Sequence, residues 1–452
     1  MKSEEEMNER KKIKQFTDRV LKLSDADSTL ITVQYASGGL TRFSGNEITQ
    51  NVASREFPFT IRVNYGGKIG KASGTSLKKE NIENYLKRAK DTAMHSKKKK
   101  DELPPAKKKK YKKTGTFSRQ TADIPPAEKA KKVKYAVGKC ASAGLEGAGI
   151  ISSGMNAMCV ANSAGLFAMH KMSDAKYSLS AIGKTGSGWS EDIKSNFKDI
   201  DFKNKTGAAI AKARLAEKPK EVKPGRYTVI LEPAAVADLI SFMAYGVFNT
   251  RAYIEGRSFL KGKKGKKIVS EKITVEDNAY MEGMNGIPFD FEGFPRKKVT
   301  LLKNGVFKNL IHNRQTAKTL KAENTGHSLG PDDTWGPIPL NLHIHAGSDT
   351  LDNMIQTTEK GILVTHFHYV NMLNPMTTTI TGMTRNGTFL VEKGKIKTGV
   401  KNFRFTQSII EALSNVVMLG DTEELHSGGF WGGFYVPAMK IDNFNFTSIT
   451  DF

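Results

Sequence analysis

An α+β fold in two domains is what the sequence predicts: an N-terminal domain of helices layered on antiparallel strands, and a C-terminal β-rich domain with one buried helix. Three observations predict it. At 452 residues the chain is too long for one ordinary core. In its first half, apolar residues recur at helical spacing in some stretches and alternate with polar ones in others, the pattern of helices beside hairpins. After a Pro- and Lys-containing stretch at 219–225 the composition changes to many short strands with Gly and Asn turns, which sets domain limits of 1–218 and 225–452.

The elements follow in order. Ile13, Phe16, Val20 and Leu23 fall three and four apart, so a helix spans 4–23. The runs 30–35, 40–44 and 59–65 are β-branched and aromatic, and Gly38-Gly39, Asn46 and Gly66-Gly67 between them read as turns of antiparallel hairpins. Ile82, Tyr85, Leu86, Ala89 and Ala93 mark a second helix over 79–95. Lysine runs at 97–100 and 107–110 flank Pro104 and Pro105, so residues 96–113 read as a solvated, poorly packed connector. Val133, Ala136, Val137 and Cys140 place a helix over 126–144, and a hairpin over 149–171 turns at Asn162-Ser163-Ala164-Gly165. A further helix covers 206–217. In the second half, strands are expected at 227–231, 299–303, 340–345, 362–369, 388–391 and 395–400. Residues 232–248 are apolar nearly all round, as a helix buried among those strands would be.

Composition excludes several classes. A hydrophobic fraction of 38%, with 41 Gly against 15 Pro, suits a folded, turn-rich chain rather than a disordered one. The net charge of +24 invites a nucleic-acid reading, but beyond the two lysine runs the charge is spread thinly, and the runs are interleaved with a single aromatic, Tyr111, so base stacking has little to work with. Cys140 and Cys159 read as buried free thiols of a reducing compartment. A charged N-terminus and the absence of any apolar stretch near the ~18 residues of a membrane span argue for the cytoplasm. The glycine run at 183–188 lacks the order of a P-loop and reads as a flexible loop.

An ordered set of short motifs runs through the chain. In the second half these are Asp290-Phe291-Glu292-Gly293, Asn304-Gly305, Asn313-Arg314-Gln315-Thr316-Ala317, Asn324-Thr325-Gly326-His327, Asn374-Pro375, Thr381-Gly382 and the strand-turn at 391–396. The first half adds 42–45, 66–73 and 162–165. In this order they resemble the TldD/PmbA family of metallopeptidase-related proteins. The resemblance implies, in the catalytic TldD branch, a zinc-type site on a second-domain helix carrying His-Glu-x-x-x-His, with a cysteine ligand in a glycine-rich turn near the C-terminus. Here the corresponding helix, 234–245, has no histidine, and the corresponding turn, 426–433, has no cysteine. Two imidazoles one helical turn apart can share a metal, and Ser, Phe or Met in their place cannot. The chain is therefore similar to the PmbA/TldE branch, with no catalytic residue, metal or cofactor of its own. The likeness implies a TldD-type catalytic subunit or a second copy as partner. It also implies an extended peptide that adds as a strand to a sheet edge.

Within that expectation Asn324, Thr325, Gly326 and His327 are the candidate peptide groove, His327 offering a donor and an acceptor. The pairs His343 with His345 and His366 with His368 each place two imidazoles on one strand face, but no carboxylate or cysteine with ligand spacing lies near either pair in sequence, and ordinary hydrogen bonding or lining the groove is the plainer reading. A second class of function is a non-catalytic basic protein that binds acidic peptides or nucleic acid on the same scaffold. Salt dependence separates the two, because electrostatic binding weakens steeply with salt and strand addition does not.

Overall fold

The computed structural model describes residues 2–115, 117–427 and 432–450. Seven strands form the first sheet: β1 (Ser28–Ser44), β2 (Glu47–Glu56), β3 (Phe59–Tyr65), β4 (Lys68–Gly74), β5 (Glu146–Asn162), β6 (Phe167–Ile182) and β7 (Ser187–Lys194). All its pairings are antiparallel, in the order β4-β3-β1-β5-β6-β7, with β2 beside the far half of β1. Alternation along β1 sends Ile31, Val33, Tyr35 and Phe43 to one face. Helices α1 (Lys2–Leu23), α2 (Lys79–Met94), α3 (Arg119–Ala122), α4 (Pro126–Ser142) and α5 (Phe202–Leu215) follow in the first half. The Ile13, Phe16 and Val20 stripe of α1 packs with Ile82, Ala89 and Ala93 of α2 against one end of that face. Val133, Ala136 and Cys140 of α4 pack with Ala209 and Ala213 of α5 against the other. Both cysteines are buried and free, and burial pushes the Cys140 thiol up to about 11 and the Cys159 thiol up to about 12.

Three expectations are corrected. Gly38-Gly39 is not a turn, since β1 runs straight through it. Gly38 lies opposite Gly154 of β5, and a Cβ on Gly38 would sit 2.7 Å from Ser153 O, so the pair serves close backbone approach. The glycine run at 183–188 is no loose loop. Gly183 N donates to Gly186 O at 2.8 Å and closes the β6–β7 hairpin. The connector at 96–113 keeps most of its lysine side chains in water but is packed along its length. Glu102 pairs with Arg62 at 2.9 Å, Asn162 Nδ2 donates to Ala106 O at 2.8 Å, and Tyr111 Oη donates to Gly293 O at 2.8 Å. Ala106 sits in an apolar cluster with Met158, Val160, Leu166 and Phe289, on the sheet face away from the helices. The charge pattern reports the lysines, and the residues between them supply the anchors.

The second sheet has eleven strands: β8 (Gly225–Leu231), β9 (Val275–Asp277), β10 (Val299–Lys303), β11 (Val306–Phe307), β12 (Asn341–Ile344), β13 (Lys360–Asn374), β14 (Thr379–Glu392), β15 (Lys395–Gly399), β16 (Phe403–Ser408), β17 (Val416–Ser427) and β18 (Gly433–Ile449). The buried helix is α6 (Pro233–Phe242), followed by a π-helical turn at Met243–Val247, and both lie in the largest apolar cluster with β8, β13 and β18. No helix among the described residues is long and apolar enough to cross a membrane.

Candidate functional site

Pro233 opens α6, where its missing N–H costs nothing, and Ala235, Val236, Ala237, Leu239 and Ile240 are all buried. A helix apolar on every side leaves its one carboxylate little access to water. Asp238 keeps only an accessible edge, and burial pushes its carboxyl up to about 7, with the Phe367 N–H at 2.9 Å and the charge of His426 opposing and Glu191 reinforcing the rise. His426 stands near the end of β17 and is buried. Its Nδ1 lies 3.5 Å from Glu191 Oε1 of β7, and its Nε2 lies 3.8 Å from Glu424 Oε2 and makes no hydrogen bond. Burial alone would raise the Glu191 carboxyl, but His426 and the ion pair with Lys176 outweigh it and hold it below its ordinary value. Lys205 Nζ reaches both oxygens of Glu424 at 2.8 Å. Charges of the first sheet and its helix α5 thus close over the end of β17.

Above these groups opens a cleft of about 340 Å³, lined among others by Ser152, Asn156, Asp174, Lys176, Asn285 and His426. Asp174 accepts from Asn156 Nδ2 at 2.8 Å, and burial raises its carboxyl. Lys176 and Asn285 can donate to a ligand and Asp174 can accept, the pairing that a main-chain amide requires. The sequence had pointed to the helix and the C-terminal turn separately, and the fold brings α6 and His426 together. Asp238, Glu191 and Lys176 were not singled out. Of these only Asp238, alone among apolar neighbours on its helix, carried a visible signal.

The groove proposed at 324–327 is corrected. His327 is 0% exposed, with Nδ1 2.9 Å from Thr325 Oγ1 and Nε2 2.9 Å from Asp277 Oδ1, so its ring cannot reach a peptide. Thr325 is buried as well, its Oγ1 accepting from His312 N at 2.6 Å. Asn324 Oδ1 accepts from Gly326 N at 3.0 Å, and Gly326, at φ +70 with Pro295 O 2.2 Å from where a Cβ would stand, can only be glycine. The four residues build a turn. The two histidine pairs stay apart in their contacts: His366 packs on Trp189 and His368 on Tyr369, whereas His343 and His345 stack on each other.

Residues 224–448 match the family model of the PmbA/TldA metallopeptidase C-terminal domain. This chain belongs to the TldD/PmbA family. It is 26% identical over 260 residues to a metalloprotease TldD homolog of Buchnera aphidicola, covering 54% of this chain and 52% of the relative. Against the metalloprotease PmbA of Escherichia coli O157:H7 the identity is 23% over 247 residues, with the same shares of 54% and 52%. The chain spans about half the length of the curated relatives it matches. Its fold is similar to that of TldE from Thermococcus kodakarensis, with a TM-score of 0.85 at 21% identity, covering 96% of this chain and 100% of the other. A family-type zinc needs imidazole, thiolate or carboxylate donors that converge. α6 brings Asp238 and no imidazole. Among the described residues, ligand atoms of three His, Cys, Asp or Glu side chains come within 4.8 Å of one another only at Glu276, His343 and His345, away from the cleft lining. The cleft does not fit the group. In the turn at 426–433, residues 428–431 lie outside the described residues, and no cysteine occurs there in the sequence.

Proposed function

We propose that the chain is a PmbA/TldE-like subunit, metal-free at α6, of a TldD/TldE-type metallopeptidase system acting on unfolded or small peptides. The observation that carries this is the single carboxylate of α6, Asp238, where two imidazoles would be needed. A TldD-type subunit supplies the chemistry, and the cleft of Lys176, Asp174, Asn285 and His426 holds part of the peptide. Two domains, 1–218 and 225–452, and a cytoplasmic setting go with this reading. The first is supported by sheet pairing that, among the described residues, keeps β1 to β7 apart from β8 to β18.

The test is co-purification from the native source, followed by peptide hydrolysis with the chain alone and with its partner. Hydrolysis is expected only from the mixture, and His426→Ala should lower it by about tenfold, the equivalent of ~1.4 kcal/mol. Turnover by the purified chain alone, or no TldD-type partner in the eluate, sinks the proposal.

A further inference from the structure

Outside the cleft lining, three strands of the second sheet bring together a second set of ionisable groups. His343 lies on β12 and His345 directly follows it, two residues apart and so on one face. Their rings stack with centroids 4.5 Å apart at 22°. The antiparallel neighbour β9 sets Glu276 opposite His343, and Glu276 Oε2 stands 3.2 Å from His345 Nε2. From β17, Glu423 Oε1 accepts from His343 Nε2 at 2.9 Å and is itself fixed by the Ala346 N–H at 2.6 Å.

We propose that Glu276, His343 and His345 form a binding site for one divalent transition-metal ion of the zinc class. Their ligand atoms already lie within 4.8 Å of one another. A tetrahedral ion at about 2.0–2.2 Å from each donor requires them to close by roughly an ångström and the exposed His345 ring to turn out of the stack, because each imidazole lone pair lies in its ring plane. With Nε2 engaged by Glu423, His343 binds through Nδ1, and Glu423 orients it as carboxylates orient metal-bound histidines. His345, its side chain 46% exposed, gives the ion its way in and leaves room for water in the fourth position. The competing cation is Lys298, whose Nζ holds Glu276 Oε2 at 2.8 Å from a side chain 53% exposed and free to swing away. Bound metal would tie β9 and β12 together and stabilise the folded chain by mass action. This site shares no residue with α6 or with the cleft lining, so it stands or falls independently of the subunit reading.

Full-length chain stripped with chelator is titrated with Zn²⁺ by calorimetry and with Co²⁺ by visible d–d absorption. About one equivalent should bind, more weakly as the pH falls below that of neutral imidazole. His345→Ala and Glu276→Gln should each weaken binding by at least the roughly 10- to 100-fold that loss of even an outer-shell partner costs. Lys298→Met should tighten binding, because it removes the competitor from Glu276, and Asp238→Asn on α6 should leave it unchanged. His345 and Lys298 are exposed, so those variants fold. No saturable uptake by the wild type, uptake that survives His345→Ala, or Lys298→Met without tighter binding each overturns the site.

Discussion

Two buried histidines of the second half, His327 and His426, each face carboxylates, and they end in opposite situations. His327 is fully enclosed, with Thr325 on one nitrogen and Asp277 on the other, and Asp277 Oδ2 accepts the Asn341 N–H at 3.0 Å. Burial pushes the His327 imidazole down against the pull of Asp277. His426 contacts Glu191 on one side, has on the other an Nε2 that makes no hydrogen bond and stands 3.8 Å from Glu424, and lines a cavity. A fully used ring holds a fold together, whereas an incompletely used one at a cleft is available to a ligand. The comparison moves the functional candidate from the 324–327 turn to the cleft at His426.

The largest effect that could break it is on stability. His327→Ala leaves Asp277 buried without its partner and should cost about 3–5 kcal/mol, read as a lower urea midpoint. His426→Ala should cost only about 1 kcal/mol or less. If the two costs were reversed, His426 would be the structural histidine. A smaller effect sharpens the contrast through pH. The folded Asp238 carboxyl titrates near 7, above its ordinary 3.8, so the folded state holds the proton more tightly than the unfolded one. Stability from this group is full below about pH 3.8 and falls as pH rises through 7. Asp238→Asn keeps an acceptor for Phe367 N and removes the titration. At pH 8 it should be more stable than wild type by roughly 1–3 kcal/mol, discounted for the accessible edge, and equal to it at pH 3.5. A wild-type stability profile that the substitution leaves unchanged would show that Asp238 is not strained by its burial.

Much of the fold was legible locally: the stripes of α1 and α2 from spacing that reports one-sided burial, the 162–165 turn from its Asn and Gly, and α6 from being apolar nearly all round. What was illegible depends on partners distant in sequence. Gly38-Gly39 looks the same whether it turns the chain or lets β5 approach, and only the pairing with Gly154 decides. β18, which pairs with β8, β12, β16 and β17, was not read as a strand. The cleft needs Glu191 from the first sheet beside His426 from the second, and the Glu276–His343–His345 group needs β9 beside β12. Sequence proximity shows neither. The absence of histidine on α6 was plain from the start, because an absent residue type needs no fold to be seen.

The smallest expected effect concerns the lysine strap, where exposure and packing part company. Replacing Lys107, Lys108, Lys109 and Lys110 with alanine removes four exposed side chains while leaving the Ala106 and Tyr111 anchors in place. Their ammonium groups are solvated, so stability should change by no more than about 0.5 kcal/mol. Peptide turnover by the chain with its partner should likewise hold at physiological salt, where a Debye length of about 8 Å screens exposed charge, and any loss should appear only at low salt as slower association. Phe294 carries one of these side chains, Lys109, over its ring at 5.4 Å, a contact too exposed to alter that expectation. A tenfold loss of turnover that persists at physiological salt would make the strap part of the binding surface. Steeply salt-dependent binding of nucleic acid that the replacement abolishes would instead favour the basic-binding function, and the charge of the chain would then be its purpose.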